Sequence, residues 1–197
     1  MSVSSLILRA AKLGLDGLTE LYGIPGSLGG MVVSNAGAYG REIGDVIKRV
    51  RAYSFTDNSA LTLDRSELGL SYRKSIFLGS NMIILSVDLE LAVSEYDIII
   101  EKLGMIKQRR AQSQPLEFPS LGSIFKKVDG VSAAQIIDQC GLKGLRIGGA
   151  EVSRKHAGFI VNVDGATASD FCQLIETVER EVYKQRAIIL EREIELL

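Results

Sequence analysis

The chain has 197 residues, a formal net charge of −1, 46% hydrophobic and 24% charged residues. Those values exclude a disordered chain, and they provide no overall field to hold nucleic acid or an anionic membrane surface. They allow one large domain or two small ones with enough bulk for a hydrophobic core.

Ser4 or Ser5 is expected to cap a helix running to about Leu13, with Leu6, Ile7 and Ala10 on one face and Gly14 as the stop. The stretch from Tyr22 to Gly40, YGIPGSLGGMVVSNAGAYG, then holds six glycines. Glycine permits positive φ and close backbone approach, and amides left free by such turns bind phosphate oxygens. Gly26, Ser27, Gly29 and Gly30 therefore suit a diphosphate. The spacing is neither G-x-G-x-x-G nor a Walker loop, so a packing turn stands at even odds with a phosphate cradle.

Val46 to Phe55 reads as a strand, Thr56 to Ser59 as a turn and Ala60 to Leu63 as the returning strand. Ser71-Tyr72-Arg73-Lys74-Ser75 sets an arginine beside a tyrosine, a pair suited to bidentate anion binding but also to surface ion pairing. In Asn81 to Leu91, Leu85, Val87, Leu89 and Leu91 alternate with Ser86, Asp88 and Glu90, predicting a strand with one buried face. A helix is predicted over Ser94 to Ala111, with Ile99, Leu103 and Ile106 inward. Its basic end at Lys107, Arg109 and Arg110 complements the helix dipole, so a structural role is preferred there.

Gln112 to Gly122 contains two prolines and little periodicity, which marks a connection between two units. Ser123, in PSLGSIFKK, lies outside any G-x-S-x-G elbow, and a lone His156 makes no triad with it. A serine hydroxyl can instead donate a proton when its alkoxide is stabilised. A helix is predicted over Ser132 to Cys140, ended by Gly141, and a buried strand over Ala157 to Val163. His156, which opens that strand, reads more readily as a hydrogen-bonded structural residue than as a catalytic one.

Thr167 and Asp170 have capping-box spacing ahead of a stripe of Phe171, Leu174, Ile175, Val178 and Val182. Ala187 to Leu197 returns to a strand-like pattern, with Glu191 and Glu193 on one face and Leu190, Arg192 and Ile194 on the other. Cys140 and Cys172 read as thiols of a reducing compartment, without metal-ligand spacing. No signal peptide is found and no run reaches the roughly 18 to 20 apolar residues of a membrane span, so the cytoplasm is the expected location.

Taken in order, GIPGSLGG with NAGAYG, SYRKS, PSLGSIFK, GLKGLRIGGAEVSRKHAGFIVN and LEREI resemble the UDP-N-acetylenolpyruvoylglucosamine reductases (the MurB family) of peptidoglycan synthesis, in their shorter type II branch. The resemblance implies an α+β chain. The second lobe of a vanillyl-alcohol-oxidase-type FAD-binding domain (residues 1–105) would be followed by an α/β substrate-binding domain (106–189). A C-terminal strand (190–197) would return to the active site. The family's first flavin lobe finds no counterpart before Ser4, so that lobe is an expected partner. The resemblance further implies bound FAD, NADPH as co-substrate and UDP-N-acetylglucosamine enolpyruvate as substrate. NADPH would reduce FAD, and the flavin would pass hydride to the enolpyruvyl C3, with protonation at C2.

By motif position, Arg73 and Glu193 would stabilise charge on the substrate carboxylate and Ser123 would donate the proton. Gly26, Ser27, Gly29, Gly30, Asn35, Gly37, Ala38 and Tyr39 would line the FAD, and Tyr72, Lys126, Lys127 and His156 the substrate. One departure stands in the serine motif: Lys127-Val128 replaces the family's Asn-Pro or Arg-Pro. The alternatives are a non-catalytic nucleotide-sugar-binding fragment, one half of a split flavoenzyme, or a flavoprotein of the same fold with another substrate.

Overall fold

A computed structural model describes residues 1–195. The chain divides into two compact units, Met1–Arg109 and the portion from Arg110 onward. The division falls inside a helix, beyond the 105/106 boundary expected from sequence.

In the first unit, α1 (Val3–Lys12) buries Val3, Ile7, Ala10 and Ala11. Its N-cap is Ser2, whose hydroxyl accepts from the Ser5 amide, so the helix begins ahead of the expected Ser4 or Ser5 cap. Gly14 ends it with φ +67, as its sequence position suggests. There follow β1 (Leu15–Asp16), the six-residue α2 (Leu28–Val33), β2 (Gly37–Ala38) and β3 (Arg41–Glu42). The central antiparallel sheet comprises β4 (Ile47–Ser54), flanked by β5 (Ser59–Asp64) and β6 (Met82–Leu89). β7 (Ala92–Val93) pairs with β1, and α3 (Tyr96–Ser113) packs Ile99 and Leu103 into this unit's core.

The strict alternation expected along β6 is broken by a β-bulge. Arg51 pairs with Ser86 and Ala52 with Ile84, so Leu85 is the extra residue. The bulge shifts the facing by one position. Ile84 and Met82 join Val87 and Leu89 against the core, while Leu85 is 52% exposed.

The second unit is a four-stranded antiparallel sheet in the order β8 (Ser120–Ser123), β11, β10, β9. Its remaining elements are α4 (Ala133–Gln139), β9 (Arg146–Ile147), β10 (Ala150–Val152), β11 (Phe159–Asn162) and α5 (Ala168–Arg186). Ile124, Ile137, Ile160, Leu174 and Ile175 are almost wholly buried in its core. Each such side chain contributes about 1.5–3 kcal/mol relative to exposure. The capping box of α5 forms as expected: Thr167 Oγ1 accepts from the Asp170 amide at 3.1 Å and Asp170 Oδ2 from the Thr167 amide at 2.8 Å. The Thr167 amide, and after it the Thr167 side chain, hold the Asp170 carboxyl below its usual pKa. Arg110, at the basic end of α3 for which a structural role is expected, is 7% exposed, and its Nη1 donates to Gln114 Oε1.

Candidate functional site

The glycine-rich stretch folds into a short helix and a hairpin rather than a bare row of amides. Ser27 caps α2 by accepting the Gly30 amide at 3.2 Å, and the Leu28 amide donates to the Met1 carbonyl. Burial of Met31 and Val32 supports a helix that Gly29 and Gly30 disfavour by roughly 1 kcal/mol each. At Gly26, with φ +128, and at Gly29, a Cβ would meet nothing within 4 Å. The space beside both Cα atoms is therefore open, while the Gly26 carbonyl accepts the Val3 amide at 3.2 Å.

The hairpin joins β2 to β3 through Tyr39 and Gly40, with φ +53 and +84, a type I′ turn. Tyr39 is a costly residue for that backbone, at about 1–2 kcal/mol. The Arg109 guanidinium, from α3, lies over its ring at 4.4 Å. Gly37 has no room for a side chain, because a Cβ would fall 2.5 Å from the Arg41 carbonyl.

The SYRKS segment docks onto this hairpin. Arg73 Nη2 donates to the Gly37 carbonyl at 3.1 Å, Ser75 Oγ to the Val33 carbonyl at 2.7 Å, and Asn35 Nδ2 to the Ser71 carbonyl at 3.0 Å. Arg73 also lies over the Tyr72 ring at 5.0 Å, and Tyr72 is exposed. Asn35 corrects an expectation: it is 1% exposed with its amide turned inward, so its side chain does not line an open surface.

In the second unit, β8 carries a bulge at Leu121-Gly122, since Ser123 pairs with Phe159 and Ser120 with Val161. Gly122 supplies φ +80 there. Ser123 emerges at the end of the bulge, and its hydroxyl donates to the Phe125 carbonyl at 3.3 Å. The C-terminal segment lies alongside: the Glu193 amide donates to the Ile124 carbonyl and the Lys126 amide to the Glu191 carbonyl, both at 2.8 Å. Glu193 is thus paired with the neighbour of Ser123. This pairing is an isolated bridge at Phe125 and Arg192 rather than a regular strand, and Leu196 and Leu197 of the expected strand lie outside the described residues. Lys126 Nζ meets Glu191 Oε1 at 2.5 Å.

Lys127 is exposed at the base of a turn. Val128 and Val131 exchange both backbone bonds across Asp129-Gly130, at φ +48 and +81. The departure from proline is therefore structural, since a proline at 128 has no N–H to donate. His156 is turned into its own loop, its Nδ1 accepting the Gly158 amide at 3.2 Å and its ring edge-on to Phe159. Burial, aided by Lys143, pushes its pKa down, so the imidazole is neutral at pH 7.

The C-terminal domain of UDP-N-acetylenolpyruvoylglucosamine reductase matches residues 114–197. The chain is similar to UDP-N-acetylenolpyruvoylglucosamine reductases of Pseudothermotoga lettingae (43% identity, over 99% of this chain and 68% of the relative) and Thermosipho melanesiensis (43%, over 100% and 67%). The chain belongs to the UDP-N-acetylenolpyruvoylglucosamine reductase family. It spans about two thirds of the length of these relatives. The crystal structure of UDP-N-acetylenolpyruvylglucosamine reductase (MurB) from Thermus caldophilus matches with a TM-score of 0.86 at 34% identity, over 99% of this chain and 69% of that one. The fold is accordingly the α+β fold of this reductase family.

Of the candidate residues of this reductase-family chain, Gly37, Tyr39, Tyr72 and Arg73 gather in the first unit, and Ser123, Lys126 and Glu193 in the second. Sequence reasoning missed Arg109 as the partner of Tyr39 and Glu179 as the partner of Arg192. Neither pair has a local spacing that would expose it. Among the described residues, no group of three His, Cys, Asp or Glu side chains could hold a metal ion, and no helix is long and apolar enough to cross a membrane.

Proposed function

We propose that this chain carries the catalytic residues of an FAD-dependent, NADPH-consuming reduction of UDP-N-acetylglucosamine enolpyruvate to UDP-N-acetylmuramate, in the cytoplasm. The observation that carries the reading is the pairing of Glu193 with Ile124 beside Ser123 in a chain 43% identical to named reductases. FAD would lie along Gly26, Ser27, Gly29, Gly30, Gly37, Ala38 and Tyr39, in what we read as the second lobe of a flavin domain. Once reduced by NADPH, it would supply the hydride for the enolpyruvyl C3.

The protein's own residues answer the charge that hydride addition creates. Electron density moves from the double bond toward the substrate carboxylate. Arg73, whose guanidinium rests on the Gly37 carbonyl, would turn its planar fork to that carboxylate. Glu193, in its acid form, would donate to the same group, and both contacts strengthen as charge develops. Ser123 Oγ–H would then shift from the Phe125 carbonyl to deliver its proton to C2, and solvent would reprotonate the alkoxide. Tyr72, Lys126 and Lys127 would hold the nucleotide-sugar, and His156 would shape the wall by packing.

Ser123→Ala tests the assignment. With FAD present, NADPH should still bleach the flavin band, while its return on adding the enolpyruvyl substrate slows by at least about 100-fold. Equal loss of both half-reactions would remove the proton-donor role.

A further inference from the structure

We infer that Asn35 is the residue that positions Arg73, an inference that rests on the reading of Arg73 as the ligand of the substrate carboxylate. Asn35 has left-handed backbone, φ +43, and is almost wholly buried. Its Nδ2 donates to Glu42 Oε2 at 2.7 Å and to the Ser71 carbonyl at 3.0 Å, while its Oδ1 accepts the Gly44 amide at 3.1 Å. Both amide protons and one acceptor site are thereby spent inside the protein.

The Ser71 carbonyl is the base of the turn that carries Arg73. Ser71 and Lys74 exchange backbone bonds at 3.1 and 3.0 Å, and Arg73, between them, has φ +54. Asn35 also lies two residues before Gly37, whose carbonyl receives the Arg73 guanidinium. One buried amide therefore fixes both ends of the arrangement: the turn from which Arg73 projects and the strand on which it rests.

The position demands this side chain. Aspartate would set a second carboxylate against Glu42 and lose both donated bonds. Asn35 Oδ1 lies close against Gly44, where an added Cβ would fall 2.7 Å from it. The charged groups around the amide are Glu42 on β3, Asp45 on the Glu42 amide, Arg65 on the Gly44 carbonyl and Arg73 itself.

The test is nitrogen-15 NMR of the arginine side chains in the full chain, with the Arg73 guanidinium signal assigned by its loss in Arg73→Lys. In Asn35→Ala that signal should move to the position of a solvated arginine while the rest of the spectrum stays dispersed; an unmoved signal overturns the inference. Asn35→Asp preserves size and covers the event that the alanine variant does not fold. At neutral pH its Arg73 signal should match the solvated position and return part-way as acid protonates the carboxyl shared with Glu42. A signal insensitive to pH and at its parental position overturns the inference. Turnover separates this from the underlying reading. Arg73→Lys, Asn35→Ala and Asn35→Asp should each lower substrate-dependent turnover roughly 100-fold and spare flavin reduction by NADPH. If Arg73→Lys keeps full turnover while Asn35→Ala still displaces the signal, positioning stands and the catalytic role of Arg73 falls.

Discussion

Arg192 grips Glu179 with both prongs of its guanidinium, Nε to Oε1 at 2.6 Å and Nη2 to Oε2 at 2.7 Å. The hydrogen bonds to Glu179 raise the arginine pKa further above its ordinary value. The pair fastens the C-terminal segment to α5, one residue before Glu193.

Breaking this clamp should loosen Glu193 before it unfolds the unit. Both side chains are about a quarter exposed, so screening limits the loss in Arg192→Ala to about 1 kcal/mol. Hydrogen exchange at the Glu193 amide should accelerate, and substrate-dependent turnover should fall with flavin reduction intact. Unchanged exchange would mean that the backbone bonds to Ile124 and Lys126 hold the segment unaided.

Gly29→Ala separates ligand contact from packing in the glycine-rich stretch. A methyl there meets no protein atom within 4 Å, and alanine is the better helix former. Thermal unfolding should report a gain of up to about 1 kcal/mol. Flavin affinity, read by fluorescence quenching, should weaken. A variant that gains stability and binds flavin as well as the parent would place the cofactor elsewhere.

His156 gives stability a pH dependence of defined sign. Its folded-state pKa lies below the ordinary value of about 6.5, so between the two values the unfolded chain binds a proton that the folded chain does not. Stability is therefore fully present above the unfolded pKa and is lost as pH falls from there toward the folded value. Chemical denaturation at stepped pH should show this slope, and His156→Gln should flatten it. An equal slope in the variant would assign it to other groups.

The bulge in β6 makes two adjacent apolar residues unequal. Leu85→Thr should stay within about 0.5 kcal/mol of the parent, as surface changes do. Ile84→Thr, against the core, should cost about 1–3 kcal/mol. Denaturant midpoints for the two variants decide the matter, and a larger loss at Leu85 would restore the unbulged register.

The helices were legible because their signals are local. Thr167 and Asp170 cap α5 as their spacing says, Gly14 and Gly141 adopt the left-handed backbone of stops, and the stripe from Leu174 to Val182 is core. The alternation of Leu190, Arg192 and Ile194 also held: Leu190 is buried, Arg192 faces α5 and Ile194 packs on the second core. The reductase-family resemblance was legible as well, since five motifs in order outweigh the ambiguity of each.

The inward turn of Asn35 and the outward turn of Leu85 were not legible. Asn35 is set by Ser71, 36 residues away, and by Gly44. Leu85 turns outward because of how β6 pairs with β4, which no pattern within β6 records. The short α2 forms through two consecutive glycines because Met31 and Val32 find a core to enter.

By itself the sequence determined the longer helices, their stops and the ordered motifs that carry the family resemblance, because capping and periodicity act over a few residues. Tertiary structure alone decided what those residues touch: the Gly37 carbonyl under Arg73, the Ile124 carbonyl beside Glu193, the Arg109 guanidinium on Tyr39. Such partners lie tens of residues apart in sequence. They meet only once hydrophobic burial has fixed the sheets, and with them the register of every hydrogen bond between segments.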